Sequence, residues 1–184
     1  MSERVQLKKF CGVALGVLAA LAGGDALALN WNGVSNVLAL SIPVVAGAYS
    51  LNHHDQGGAY ELAQTIAGTL GATMVLKSQI DAPRPDASGN DSFPSGHTAV
   101  AFASARYLHK RYGDEVSPLA LYGAASLTAL ARVRADKHYW RDTVAGAALG
   151  YAMADGFTHS RSGSGFQLLP TAGGVAMIWQ HRLP

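Results

Sequence analysis

The chain has 184 residues, of which 49% are hydrophobic and 14% charged, and its formal net charge is +2. This length suits one domain with a full core and excludes a large multidomain protein. Lys and Arg are scattered rather than gathered into one basic stripe, so we expect no nucleic-acid partner. Average soluble proteins are about one-quarter charged, so the composition lies near the border between soluble and membrane proteins.

The first residues are typical of an export signal. Three basic side chains in 1–10 precede an apolar run, which ends near the small residues Ala26-Leu27-Ala28. This order indicates a secretory signal peptide. We therefore assign 1–28 to the signal peptide and 29–184 to a single helical domain. Cleavage after Ala28 would remove Cys11 and leave no thiol.

An alternative interpretation makes 1–28 a first membrane helix. The apolar run there is about twelve residues, shorter than the roughly twenty that a spanning helix needs. The signal-peptide interpretation predicts an exported protein of the periplasm or envelope. The alternative predicts an inner-membrane protein whose active site faces the periplasm.

Five apolar segments rich in Ala, Leu and Gly follow this leader. They lack the alternation of apolar and polar residues that is typical of strands, so they predict helices. Ser117-Pro118 and Asp142 mark helix starts, and Gly113 marks the end of the third segment. We expect an all-α fold, a compact bundle of about five to six helices. The segments are 37–51, 60–76, 98–112, 118–133 and 143–157.

The length of these segments bears on whether they cross a membrane. Their uncharged runs are about twelve to seventeen residues, short of the roughly twenty required. Pro43, Glu61 and Arg106 also interrupt them. We therefore expect buried helices of a soluble bundle, with membrane association as the alternative. After a Ser/Gly-rich linker at 160–165, the tail contains Gly173-Gly174 followed by β-formers and predicts a small C-terminal hairpin.

Three polar clusters stand between the apolar segments. They cover residues 77–85, 93–97 and 132–142. Each lies at the end of one segment or the start of the next, so an up-and-down bundle would bring all three to one end. Their convergence predicts a pocket and an active site there.

The first cluster supplies positive charge. Arg84 stands between Pro83 and Pro85, and a residue before proline is restricted to extended conformations. Its guanidinium can donate two parallel hydrogen bonds to a phosphate, and Lys77 adds a second cation. Taken alone, the cluster is more typical of a solvated basic loop.

The second cluster stands at a helix start, where backbone N–H groups and the helix dipole attract anions. Ser95 can cap the helix and donate to a phosphate, and Gly96 permits close backbone approach. His97 can present its imidazole to the same anion. The alternative is a capped helix with an incidental histidine.

The third cluster contains a histidine and a carboxylate four residues apart. If both belong to one helix, Asp142 can reach the imidazole of His138. An aspartate bonded to Nδ1–H leaves Nε2 as a nucleophile and stabilises the imidazolium that forms. Arg132 would add a further clamp on the phosphate. The alternative is a surface ion pair.

In this order the clusters read Lys-x6-Arg-Pro, Pro-Ser-Gly-His and Arg-x5-His-x3-Asp. This set resembles the three-part signature of the type 2 phosphatidic acid phosphatase family, which includes bacterial acid phosphatases, lipid phosphatases and vanadium haloperoxidases. The resemblance covers residues from about Lys77 to Asp142. One departure is Ala131, where the family often has Ser before the arginine, and this removes at most one hydrogen bond.

The resemblance implies a role for each matching residue. His138 attacks phosphorus, His97 protonates the leaving oxygen, and Asp142 orients His138. The residues that bind the phosphate are Lys77, Arg84, Ser95, Gly96 and Arg132. It further implies a metal-independent phosphatase that acts on phosphomonoesters through a phosphohistidine.

The expected substrate is a phosphorylated small molecule or lipid, with vanadate binding as a phosphate analogue. We expect no cofactor and no metal, because the adjacent trio His53-His54-Asp55 is a poor closed site. Three other functions stay open: an integral-membrane lipid phosphate or pyrophosphate phosphatase, a vanadium haloperoxidase, and a non-catalytic anion-binding protein of the envelope. The leaving group and the oligomeric state are left open as well.

Overall fold

The computed structural model describes residues 30–161 and the backbone of residues 165–171 and 174–180. Within this part the chain forms five α-helices and one 3₁₀ turn, so the predicted all-α bundle is confirmed. The predicted leader 1–28, with Cys11, lies outside the described residues. The helices are α1 (Trp31–Asn52), α2 (Gln56–Gln79), α3 (Gly96–Tyr112), α4 (Pro118–Arg134) and α5 (Trp140–Phe157), with the 3₁₀ turn at Gly113–Glu115.

Helix α1 is longer than predicted, because it begins at Trp31 rather than at Val37, and it continues through Pro43 as the predicted segment does. A proline removes one backbone hydrogen bond, and the helix persists there because the neighbouring Ile42 and Ala46 are buried in the core. Its 22 residues include no Asp, Glu, Lys or Arg. By length and composition α1 could cross a bilayer, so the expectation that every segment is too short was wrong for this helix. A buried core helix can pass the same test, so α1 alone is weak evidence of a span.

Helix α3 is the centre of the bundle and packs against all four other helices. Its contact with α5 is very close, since a Cβ on Gly150 would lie 2.0 Å from the carbonyl oxygen of Ala99. A Cβ on Gly146 would lie 2.4 Å from the carbonyl oxygen of Ser95. These two glycines therefore fix the start of α5 against the start of α3.

Several helix ends follow local sequence signals. Gly113, with a positive φ of 55°, ends α3 as predicted. Ser117 caps α4 by accepting from the N–H of Ala120. Helix α5 starts at Trp140, ahead of the predicted residue 143, because the Asp142 carboxylate accepts the backbone N–H of Tyr139 at 2.9 Å and so caps the first turn.

A two-stranded hairpin follows the bundle, in agreement with the prediction from Gly173-Gly174. Strand β1 (Gly165–Thr171) pairs antiparallel with β2 (Gly174–Gln180). Gly165 stands opposite Gln180, and Thr171 stands opposite Gly174.

Candidate active site

The three polar clusters meet at the end of the bundle where α2 and α4 finish and α3 and α5 begin. Asp86 links the first cluster to the third: its N–H donates to the carbonyl oxygen of Asp136 at 3.0 Å, and its carboxylate pairs with Lys137. The N–H of Ser95 donates to the carbonyl oxygen of Asp142 at 2.9 Å, which joins the second cluster to the third. These bonds hold the loops as one unit.

His138 is buried, with 2% of its surface exposed. Its Nδ1 lies 2.7 Å from the carbonyl oxygen of Ser92. A carbonyl can only accept a hydrogen bond, so Nδ1 carries the proton and Nε2 keeps its lone pair. The imidazole therefore has the tautomer that a nucleophile needs.

The expected hydrogen bond from Nδ1–H of His138 to the Asp142 carboxylate is not formed. His138 lies ahead of α5, so the two residues do not share a helical turn, and Nδ1 is 3.9 Å from Oδ2 of Asp142. That oxygen accepts instead from the Ser92 hydroxyl at 2.5 Å and from the Tyr139 N–H at 2.9 Å. Asp142 thus faces the imidazole as a charge rather than as its hydrogen-bond partner.

Arg132 is 4% exposed, and α1 holds one side of its guanidinium. Its Nη1 donates to Oδ1 of Asn32 at 2.8 Å and to Oγ of Ser35 at 3.3 Å. Its Nε has no hydrogen-bond partner within the described residues. A buried N–H without an acceptor is costly, so this guanidinium is prepared to receive an anion.

Arg84 and Lys77 already contact a carboxylate that the sequence analysis did not single out. Arg84 donates from Nε and Nη2 to the two oxygens of Asp91, at 2.8 and 3.0 Å. Lys77 donates to the backbone carbonyl of Asp91, and its Nζ is 4.0 Å from Oδ2. Asp91 occupies the bidentate face of Arg84 that a phosphate would use.

Ser95 and its neighbours stand at the start of α3. The Ser95 hydroxyl bonds to the Thr98 hydroxyl at 3.0 Å and does not cap the helix, contrary to expectation. A Cβ on Gly96 would meet Thr73 at an ordinary 3.5 Å, so sterics alone do not require this glycine. His97 is half-buried at the first turn of the helix.

The same charged groups act on the imidazoles of His97 and His138. Burial, followed by the charges of Arg132, Arg84 and Lys77, lowers the pKa of His97 to about 4 and that of His138 to about 3. Since one set of cations acts on both rings, they lie in the same electropositive region. Burial and then Arg84 lower the pKa of Arg132 to about 10.

Several polar residues of this region were not predicted from the sequence. Ser92 and Asp91 directly precede the second cluster, so their position next to Phe93 was a usable signal. Asn32 and Ser35 offered none, because they contact Arg132 across about 100 residues of chain.

Within the described ranges, no three His, Cys, Asp or Glu side chains are grouped to hold a metal ion. Asp55, of the trio considered for a metal, caps α2 and pairs with Arg111.

These features define a class of helical protein with a buried, cationic, histidine-containing site at one end of the bundle. The family model of the PAP2 superfamily matches residues 73–165. The chain therefore belongs to the PAP2 superfamily, in agreement with the resemblance of its three motifs.

Similar proteins support membership of the PAP2 superfamily. A lipid A 1-phosphatase of Porphyromonas gingivalis is 41% identical over 75 residues, which are 39% of this chain and 17% of that protein. The match thus spans about a sixth of that relative. A transmembrane PAP2 type phosphatidylglycerolphosphate phosphatase from Bacillus subtilis has the same fold, with a TM-score of 0.59 and 22% identity over 77% of this chain and 81% of that one. Aquifex aeolicus LpxE superposes with a TM-score of 0.50 and 23% identity over 68% and 90% of the two chains.

Proposed function

We propose that this chain is a phosphatase that cleaves phosphomonoesters through a phosphohistidine on His138 and without a metal ion. The observation that carries the proposal is the 2.7 Å bond from Nδ1–H of His138 to the Ser92 carbonyl oxygen. It leaves the Nε2 lone pair available in a region where three cations can hold a phosphate. Membership of the PAP2 superfamily supports this activity.

The reaction proceeds in two displacements. The Nε2 lone pair of His138 forms a bond to phosphorus while the bond from phosphorus to the leaving oxygen breaks, and His97 gives a proton to that oxygen. Water then attacks phosphorus, His97 takes its proton, and the phosphorus–nitrogen bond breaks. Inorganic phosphate and the neutral imidazole are regenerated.

Charge neutralisation comes from Lys77, Arg84 and Arg132. In phosphoryl transfer, catalysis depends mainly on positioning and on stabilising charge at the phosphoryl oxygens. Burial, and after it the charge of the same cations, lowers the pKa of His97 in the free protein. A phosphate dianion offsets their charge and raises that pKa, so substrate binding brings His97 toward the protonated form that the first step needs.

A phosphorylated lipid is the substrate class that we propose, with the protein associated with the cell envelope. The lipid A 1-phosphatase of P. gingivalis supports the substrate class. The surface of α1 supports the association, because four apolar side chains are exposed along it while its other face is buried. The exposed residues, with their exposed fractions, are Val37 (41%), Leu40 (68%), Val44 (59%) and Leu51 (65%).

The test uses the full chain in detergent with a panel of lipid phosphates, nucleotides and sugar phosphates, in the presence of EDTA. We expect phosphate release, strongest with the lipids, and at least a 10³-fold loss in His138→Ala. A ³²P-labelled substrate quenched in alkali should leave label on the protein, and acid should remove it.

Three results would contradict the proposal. They are turnover abolished by EDTA, a folded His138→Ala variant with full activity, or binding of phosphate with no turnover of any substrate. The last would indicate the non-catalytic anion-binding protein. Stronger turnover of nucleotides than of lipids would contradict only the proposal that the substrate is a phosphorylated lipid.

A further inference from the structure

Ser92 contacts both members of the proposed His–Asp pair. It is fully buried, its carbonyl oxygen accepts from Nδ1 of His138 at 2.7 Å, and its hydroxyl donates to Oδ2 of Asp142 at 2.5 Å. The hydroxyl oxygen is also 3.4 Å from Nδ1. One residue thus supplies a backbone acceptor to the imidazole and a side-chain donor to the carboxylate.

The position of Ser92 is itself fixed. Its N–H donates to the carbonyl oxygen of Ala82 at 2.9 Å, which ties it to the loop that carries Arg84. On its other side the chain enters the turn before α3, where Ser95 bonds to the backbone of Asp142. Because it is anchored on both sides, Ser92 can set the positions of the groups that it contacts.

The Asp142 carboxylate is fully buried and is held through Oδ2 by two donors, the Ser92 hydroxyl and the Tyr139 N–H. Its Oδ1 has no hydrogen-bond partner in the described part of the chain, and the nearest cation to it is Nε of Arg141 at 3.5 Å. With Oδ2 engaged in this way, the carboxylate stands 3.9 Å from Nδ1 of His138. Loss of the Ser92 hydroxyl would free it to turn toward the imidazole.

We propose that Ser92 is a positioning residue for His138: its carbonyl fixes the Nδ1–H tautomer, and its hydroxyl holds Asp142 near the imidazole without a direct hydrogen bond. In this arrangement Asp142 stabilises the positive ring that forms on phosphoryl transfer through its charge rather than through a hydrogen bond. The inference rests on the proposed function of His138.

The test compares Ser92→Ala with Ser104→Ala, a matched change of a buried serine. Among the described residues, the Ser104 hydroxyl bonds only to the backbone carbonyl of Val100 in α3. We expect Ser92→Ala to lower kcat about tenfold, the cost of one hydrogen bond to a charged group, with KM within about twofold. The acidic limb of the kcat profile should move up by about one pH unit as Asp142 approaches Nδ1. Ser92→Thr, which keeps a hydroxyl, should restore the position of that limb.

The direction of this shift follows from the charges that face His138. The charged groups that act on it are Lys77 at the end of α2, Arg84 in the following loop, Arg132 on α4 and Asp142 on α5. His97 at the start of α3 is subject to the same three cations. These cations lower the pKa of His138 and do not move in Ser92→Ala. The remaining change is a shorter distance between the Asp142 carboxylate and Nδ1 of His138, and this raises the pKa of His138.

A second measurement needs no turnover. Long-range ¹H–¹⁵N spectra of the ¹⁵N-histidine-labelled full chain report the tautomer of His138, and we expect Nδ1–H in both the wild type and Ser92→Ala. An Nε2–H tautomer in the wild type would overturn the carbonyl part of the proposal. An unmoved acidic limb, or a kcat loss equal to that of Ser104→Ala, would overturn the hydroxyl part. Full activity of His138→Ala would refute the proposed function itself, so the two failures are distinguishable.

Discussion

Two buried arginines lie toward opposite ends of the bundle and differ in their partners. Arg111, 5% exposed near the end of α3, donates twice to Asp55, at 2.9 and 2.7 Å, and once to Glu61 at 3.0 Å. Arg132, 4% exposed near the end of α4, donates to the neutral Asn32 and Ser35. Its Nε lacks a partner within the described residues.

The pKa of each arginine is shifted in the direction that its partners predict. Burial lowers the pKa of Arg111, but Asp55 and Glu61 outweigh it, and the net pKa is raised. Burial and the charge of Arg84 lower the pKa of Arg132 without a carboxylate to offset them fully. A buried cation with its counter-ions stabilises the local packing, whereas one without them keeps binding capacity for an anion. The first arrangement maintains the fold, and under the proposed function the second binds substrate.

The largest expected effect follows substitution of Arg111, the arginine that pairs with two carboxylates. Arg111→Met leaves Asp55 and Glu61 buried without their cation, which should cost about 3–5 kcal/mol in the free energy of unfolding. Urea denaturation measures this cost, and the folded fraction should keep the wild-type kcat. Arg106→Met is the control, because its partner Asp155 is exposed and such a pair contributes at most about 1 kcal/mol. Equal costs for the two variants would contradict the structural role of the Arg111 pair.

Substitution of Arg132 should show the reverse pattern, a large loss of activity with little loss of stability. Arg132→Met should lower kcat/KM about 10²–10³-fold, since one donor to the developing phosphoryl charge is lost, and the melting temperature should change little. Steady-state assays and a thermal melt measure the two quantities. Arg134→Met, an exposed neighbour on the same helix, is the control. A large loss of stability with normal kinetics would show that Arg132 is structural.

Anion binding separates the two arginines without turnover. Vanadate at about 100 times its Kd should stabilise the wild type by about 2.7 kcal/mol, seen as a higher melting temperature than in chloride of matched ionic strength. The Arg111→Met variant should keep this shift, and Arg132→Met should lose most of it. A shift that survives in Arg132→Met would place the anion elsewhere.

The smallest effect concerns the competing carboxylate at Arg84. Asp91→Asn removes an exposed ion pair worth at most about 1 kcal/mol. Since the side chain then no longer competes with phosphate, KM should fall by up to about fivefold with kcat unchanged. Asp155→Asn, at a distant surface ion pair, serves as the control. A higher KM in Asp91→Asn would mean that Asp91 positions Arg84 for the substrate instead.

Local signals predicted much of the fold but failed where distant segments interact. The helices and the end of α3 at Gly113 follow from composition and turn chemistry, which act over a few residues. The start of α5 was misjudged because Asp142 caps it from inside the helix. That same cap explains why the four-residue spacing from His138 did not give a hydrogen bond.

The sequence by itself determined the all-α class, the three motifs and the family, because periodicity, helix signals and short spacings are local properties. The tertiary structure alone decided which groups the motif side chains contact. Asn32 reaches Arg132, Ser92 stands between His138 and Asp142, and Asp91 engages Arg84. The physical reason is that a hydrogen bond depends on positions within about 3 Å, and such positions are fixed by helix packing rather than by separation along the chain.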